Sequence, residues 1–360
     1  MTERMRMTAR CTGAPRWLPS LLVVSAACCF TTPSFADEAK VGSDALQSLL
    51  KACAARAETL KTFEGLVTMV EYANDDLPQP QRRWNWVEAR TYAVDRTRGW
   101  SLCEQRIATG VDPDAAYTAH ATVGDVWRTQ DCSDGYWHEP PSHLRDYMRE
   151  LMSHWLMVCE LTDNAVSHMV NVVVTEEAAG EASCLHFELE CLWGSGITTY
   201  DGIWLDPDKG SAPVKRRVVT LTDGKASRVS VYRAEELTHC TGDIWIPRRA
   251  EHVECVEGKS GWVWVTKAVR EVVQARVNEG LSEEARSFFD PMPFTEGVCA
   301  APWKQRLADD AEVEVPGPTG MTRVKVPDLL SELRDRLSED IGHPQDIVNE
   351  ALAEIPEALR

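Results

Sequence analysis

Between Cys184 and Asn278 the chain reads as an almost unbroken series of β-strands joined by short turns, and this run limits the possible fold more than any other feature. Leu185, Phe187, Leu189 and Cys191 alternate with His186, Glu188 and Glu190, the period-two pattern of a strand with one buried and one solvated face. Val214 to Thr222 meets Lys225 to Arg233 across Asp223-Gly224, and two such residues between β-rich runs predict a tight hairpin. Asp243 to Pro247 and Arg249 to Val256 then lead through Gly258 and Gly261 into Trp262 to Thr266. No nucleophile, metal cluster or phosphate loop interrupts the series, so it reads as a scaffold that binds.

The N-terminus has the order of a secretory signal peptide. Arg4, Arg6, Arg10 and Arg16 precede an apolar run from Trp17 to Phe30, and Ser34-Phe35-Ala36 offers a small-x-small cleavage site before Asp37. Residues 1–36 are therefore expected to be removed and the protein to be periplasmic or otherwise exported. The apolar run is shorter than the roughly 20 residues that a bilayer span requires. Lipid anchoring at Cys28 is the weaker alternative, because Ser25 stands where a lipidation box usually has an aliphatic residue.

Charge and cysteine content narrow the partners. The net charge is −18, and the leader carries four arginines against Glu3, so the remainder stands near −21. Such a surface repels phosphate backbones and anionic headgroups, which argues against nucleic acid and favours a basic partner or an apolar ligand. Of 12 cysteines, Cys11, Cys28 and Cys29 belong to the leader, leaving an odd number with no CxxC spacing. Cys184 and Cys191 are seven apart and face opposite sides of a regular strand, so they do not pair. The cysteines are expected mostly as small core residues.

The remaining chain divides into a main domain over residues 37–298, a linker or irregular arm over 299–326 and a helical extension over 327–360. Leu46, Leu49, Leu50, Cys53, Ala57 and Leu60 recur at helical spacing from Asp44 onward, and Phe63 to Tyr72 reads as the first strand. Arg82 to Ala93 and Gly99 to Ile107 form an expected hairpin anchored by Trp84, Trp86 and Trp100. Ser142 caps a helix that runs to about Glu160 and carries Met148, Met152 and Trp155. Two amphipathic helices close the chain, one on Leu329, Leu330, Leu333 and Leu337, the other on Ile347, Val348, Ala351 and Leu352.

Motifs that suggest catalysis fail on spacing. His138 and His143 are five apart with two prolines between them, where a zinc-protease helix needs four. Asp206-Pro207-Asp208-Lys209-Gly210 begins like a calcium loop, but position twelve is Arg217 rather than Glu, so a strand-ending turn is expected. No carboxylate pair is singled out by spacing, which leaves a hydrolase as the least favoured class. The stronger signal is aromatic. Trp84, Trp86, Trp204, Trp245, Trp262 and Trp264, with Met148, Met152 and Trp155 on the helix, are the candidate ligand-binding residues, as core or as cavity wall. No cofactor, metal or catalytic residue is expected.

The order of leader, amphipathic helix, antiparallel strands, Ile203 to Val214, Asp243 to Pro247, and then Val277-Asn278 with Leu281 and Phe288 resembles the outer-membrane lipoprotein-sorting family, the LolA/LolB-like proteins. The resemblance covers residues 44 to 298. It implies an α+β fold, an antiparallel half-barrel whose concave apolar face is covered by helices. It also implies a non-enzymatic periplasmic role in binding a lipid-like or acylated ligand such as a lipoprotein. An acyl chain buried in such a cavity gains about 0.8 kcal/mol per methylene without any covalent step. The helix at 143 to 160 would be a lid. The same fold resembles periplasmic regulators of anti-sigma partners, so an interaction or sensing module using the C-terminal helices is the alternative.

Overall fold

The computed structural model describes residues 40–41, 43–72, 86–109, 116–123, 126–131, 168–179, 182–289, 307, 311–317, 320–335 and 342–359. The expected helix at 143 to 160, the His138 to His143 motif and the leader lie outside them. The described chain is mostly antiparallel sheet with few helices. Its strands are β1 (Lys40–Val41), β2 (Thr62–Tyr72), β3 (Trp86–Asp95), β4 (Trp100–Thr109), β5 (Ala116–Val123) and β6 (Val126–Asp131), then β7 (Met169–Ala179), β8 (Ala182–Gly194) and β9 (Ile197–Asp206). They continue with β10 (Ala212–Thr222), β11 (Lys225–Cys240), β12 (Ile244–Gly258) and β13 (Gly261–Val277). Thirteen strands form one sheet in the order β1-β7-β8-β9-β10-β11-β12-β13-β2-β3-β4-β5-β6, and the sheet is unclosed, with β1 and β6 at its edges.

Two meanders build it. Within each, neighbours in sequence pair antiparallel, as across Asp223-Gly224, where φ values of 51° and 76° give the hairpin turn that the sequence predicts. The meanders join where β2 pairs with β13, from Phe63 opposite Val277 to Tyr72 opposite Lys267. A bulge between Val272 and Gln274 brings the β13 backbone against Gly65, where an added Cβ would stand 2.2 Å from the Gln274 carbonyl oxygen. Only glycine fits this approach.

Each face of the sheet is covered by different helices. Helix α1 (Ser43–Thr59) packs Ala45, Leu49 and Cys53 on Val172, Phe187, Leu189, Ile203 and Leu205, and the core continues through Leu60, Phe63, Val67, Tyr92 and Ile246. On the opposite face, α2 (Glu283–Phe289) lays Ala285, Phe288 and Phe289 on Ala93, Leu102 and Ala121, with Phe289 stacked 5.0 Å from Trp100. Helix α3 (Val326–Asp335) buries Leu329, Leu330 and Leu333 against Leu66, Val70, Val87 and Ala108. Helix α4 (Pro344–Ala353) buries Ile347, Val348 and Ala351 against Val219, Val229, Val231 and Val253.

Within residues 299–326, Glu312–Gly317 (β14) and Gly320–Lys325 (β15) pair as a separate two-stranded hairpin. Among the described residues no helix is long and apolar enough to cross a membrane.

Gly65→Ala is expected to destabilise the protein by about 1–3 kcal/mol, because the contact is with backbone that cannot swing away. Urea denaturation followed by tryptophan fluorescence measures this, and an unchanged midpoint would show that the β2–β13 contact relaxes freely.

Candidate functional site

One sequence expectation is corrected here. The His186/Glu188 face of β8 was expected to be solvated, and instead His186 and Glu188 are 1% and 0% exposed. The His186 ring is covered by Trp204 of β9 and the Glu188 carboxylate by Arg217 of β10, which in turn bonds the Ala351 carbonyl of α4. Charges shut away from water must be paired, and they are.

The pairing forms a chain across four strands and a helix. Glu177 on β7 accepts from Thr175 Oγ1 at 2.8 Å and lies 3.0 Å from His186 Nδ1. His186 Nε2 is 2.9 Å from Glu188 Oε2. The same oxygen accepts from Arg217 Nη2 on β10, and Arg217 Nη1 donates to the Ala351 carbonyl of α4 at 2.7 Å. Arg217 is 0% exposed. Trp204 on β9 roofs the chain, its ring stacked 3.9 Å from the His186 ring, with its Nε1 donating to Glu177 at 3.3 Å. Gly202 makes the space, since a Cβ there would come within 2.6 Å of Arg217 Nη2 and 2.8 Å of Glu188 Oε2.

Electrostatics follow from this geometry. Burial pushes His186 toward its neutral form, but hydrogen bonds and charge from Glu177 and Glu188 outweigh it and hold the imidazole above its ordinary value. The hydrogen bond to His186 works against burial at Glu177 and lowers that carboxyl to about 2. A positive imidazole between two carboxylates, with Arg217 beyond, leaves the set neutral. Three of its members, His186, Glu188 and Arg217, are closed to solvent, and Glu177 is partly exposed.

Helix α4 is held by further contacts. Lys215 hydrogen-bonds Glu354, Arg233 Nη2 lies 2.6 Å from Glu350 Oε1, and the Tyr200 hydroxyl lies 3.1 Å from the Leu359 carbonyl oxygen. Burial favours protonated Glu350, but Arg233 and Lys215 prevail and keep its carboxyl below the usual range.

The candidate ligand residues fall in different places. Trp262 and Trp264 pack against the α4 cluster, partly buried, and Lys267 Nζ sits 3.1 Å from the Trp264 ring centroid. Trp204 belongs to the buried chain on β9, four strands away from β13. Trp245 lies elsewhere, near His239 and Lys209, with its carbonyl accepting from Arg56 at 2.6 Å. Trp86 lies on β3 opposite Glu71. Trp84, Met148, Met152 and Trp155 lie outside the described residues. The structure thus groups Trp262 and Trp264 with α4, sets Trp204 in the buried chain and separates Trp245 from both.

The α1-bearing face is not uniformly apolar. Glu88, Arg90, Tyr92 and Gln105 form a buried polar ladder there, in which Gln105 Nε2 donates to Glu88 Oε1 at 2.8 Å and Arg90 hydrogen-bonds Glu88. On the same face the rings of Tyr232 and His252 stack at 4.0 Å, with Ser230 Oγ 3.0 Å from His252 Nε2. On the opposite face a cavity of about 280 Å³ opens beside α3, walled by Val273, Val315, Leu329 and Leu333 and by Glu236, Arg248, Arg249, Glu271 and Glu332. Neither charged lining suits an acyl tail.

No protein-family model matches this chain, and no curated protein matches it. Among solved structures it is similar to a DUF1329 family protein from Desulfovibrio piger ATCC 29098, at 11% identity and a TM-score of 0.35, over 67% of this chain and 96% of that one. It is similar at a lower level to an N-terminal dehydratase from the difficidin assembly line, at 10% identity and a TM-score of 0.12, over 64% and 84% of the two chains.

Arg217→Met is expected to cost about 3–5 kcal/mol, because it strands the buried Glu188 carboxylate. The double variant Glu188→Met/Arg217→Met recovers much of that loss. A double-mutant cycle by urea denaturation reads the coupling, and strictly additive effects would disprove a paired, sealed network.

Proposed function

We propose that this chain is an exported, non-enzymatic protein that binds a lipid-like or acylated ligand on an unclosed β half-barrel of the LolA-like kind. The observation that carries the reading is the apolar seat formed by Val219, Val229, Val231, Val253 and Cys255, flanked by Trp262 and Trp264 and filled by α4. An acyl chain and the apolar stripe of an amphipathic helix ask the same of a protein surface: a groove without unpaired polar groups. The polar ladder on the α1 face and the charged cavity beside α3 do not offer it. The ligand class therefore rests on this seat, with α4 as the segment that a ligand displaces.

Saturable quenching of tryptophan fluorescence by a doxyl-labelled fatty acid is the expected result with the full chain. Trp264→Ala is expected to weaken binding about tenfold, the effect of losing roughly 1.4 kcal/mol of apolar contact. Binding with the same affinity in Trp262→Ala and Trp264→Ala, or no saturable quenching at all, would refute this assignment of the site.

A further inference from the structure

We propose that α4 is a releasable strap over the Trp262/Trp264 seat, latched by the buried chain that runs from Glu177 to the Ala351 carbonyl and controlled by the charge of His186. The inference deepens the binding reading above and rests on it for what enters the vacated seat.

Three features argue for a strap. A helix of ten residues is marginal on its own, so α4 holds its shape through docking. It has no basic residue in its last turn, where the carbonyl ends carry partial negative charge. That positive charge comes instead from β10: Arg217 bonds the Ala351 carbonyl and Lys215 bonds Glu354. The helix end therefore depends on how much of the Arg217 charge is left to it.

His186 sets that amount. With the imidazole protonated, Glu177, His186, Glu188 and Arg217 sum to zero, and Glu188 is shared between two cations. Once His186 is neutral, the same enclosed set carries one net negative charge, placed beneath the negative end of α4. The groups that face His186 are Glu177 and Thr175 from β7, Glu188 from its own strand, Trp204 from β9 and Arg217 from β10. On α4 itself, Glu350 and Glu354 face Arg233 and Lys215.

Linkage gives the direction. His186 is held above its ordinary value of about 6.5, so the neutral set beneath α4 is fully present below that value and gains its net negative charge as pH rises through the folded value. Glu177 works the other way and weakens the latch only as pH falls from the ordinary carboxylate range toward about 2. The strap is thus tight in mild acid and loosens as the solution becomes alkaline.

Hydrogen exchange of the full chain, corrected for intrinsic rates, tests this without any ligand. Protection of the α4 amides is expected to be lost progressively as pH rises from about 6 through the alkaline side, while α3 stays constant as the internal control. His186→Gln should abolish the pH dependence. Glu177→Gln, a change at a partly exposed position, should shift the transition to lower pH by removing one partner of the imidazole. Equal pH dependence in wild type and both variants, or α4 protection that tracks α3 throughout, would overturn the latch. If α4 opens as described and the doxyl probe still does not bind, the latch stands and the acyl reading fails.

Discussion

The arrangement depends on the pairing of Glu188 with Arg217 where neither meets water. A carboxylate or a guanidinium enclosed alone costs several kcal/mol, so each fixes the other, and together they fix everything that must surround them. Gly202 has no side chain because their contact fills its space. Trp204 covers His186, and the Ala351 carbonyl accepts from Arg217 Nη1. Residues from β7 to α4 are thereby bound to one geometry, although the chain positions involved lie as far apart as Glu177 and Ala351.

That geometry divides the sheet into surfaces of different character. Under α1 the contacts are aliphatic at one end and polar at the Glu88–Arg90 ladder. Under α4 they are valines and tryptophans bordered by ions. The chain's own helix occupies the valine and tryptophan surface, with its Ala351 carbonyl, Glu350 and Glu354 bonded by Arg217, Arg233 and Lys215. Coverage by an internal segment keeps such an apolar surface from water.

Local elements were legible in the sequence, and long-range ones were not. The Asp223-Gly224 turn, the strand from Phe63 and the leucine spacing of α3 each rest on neighbours within a few residues, so the pattern carries them. The β2–β13 pairing has no local signal, because Phe63 and Val277 meet only after the second meander is built. The alternation on β8 was misleading for a related reason. Period two correctly separates Phe187 from His186, but it cannot tell a solvated polar face from one closed by Trp204 and Arg217 on neighbouring strands. The feature within reach was Arg217, which follows Lys215 and Arg216 on β10 and shares a strand face with Val219, a charge that wants a buried partner. Trp262 and Trp264 were legible as one face, and what covers them was not.

The seam between β2 and β13 also sets a timetable. A chain emerging from its N-terminus completes β2 early, yet the neighbour of that strand arrives some two hundred residues later. Until then β2 has one bare flank, with hydrogen-bonding groups exposed to any passing strand. Large sequence separation slows folding, so this protein is expected to assemble late and as a whole. Its most vulnerable moment is the interval before Val277 appears.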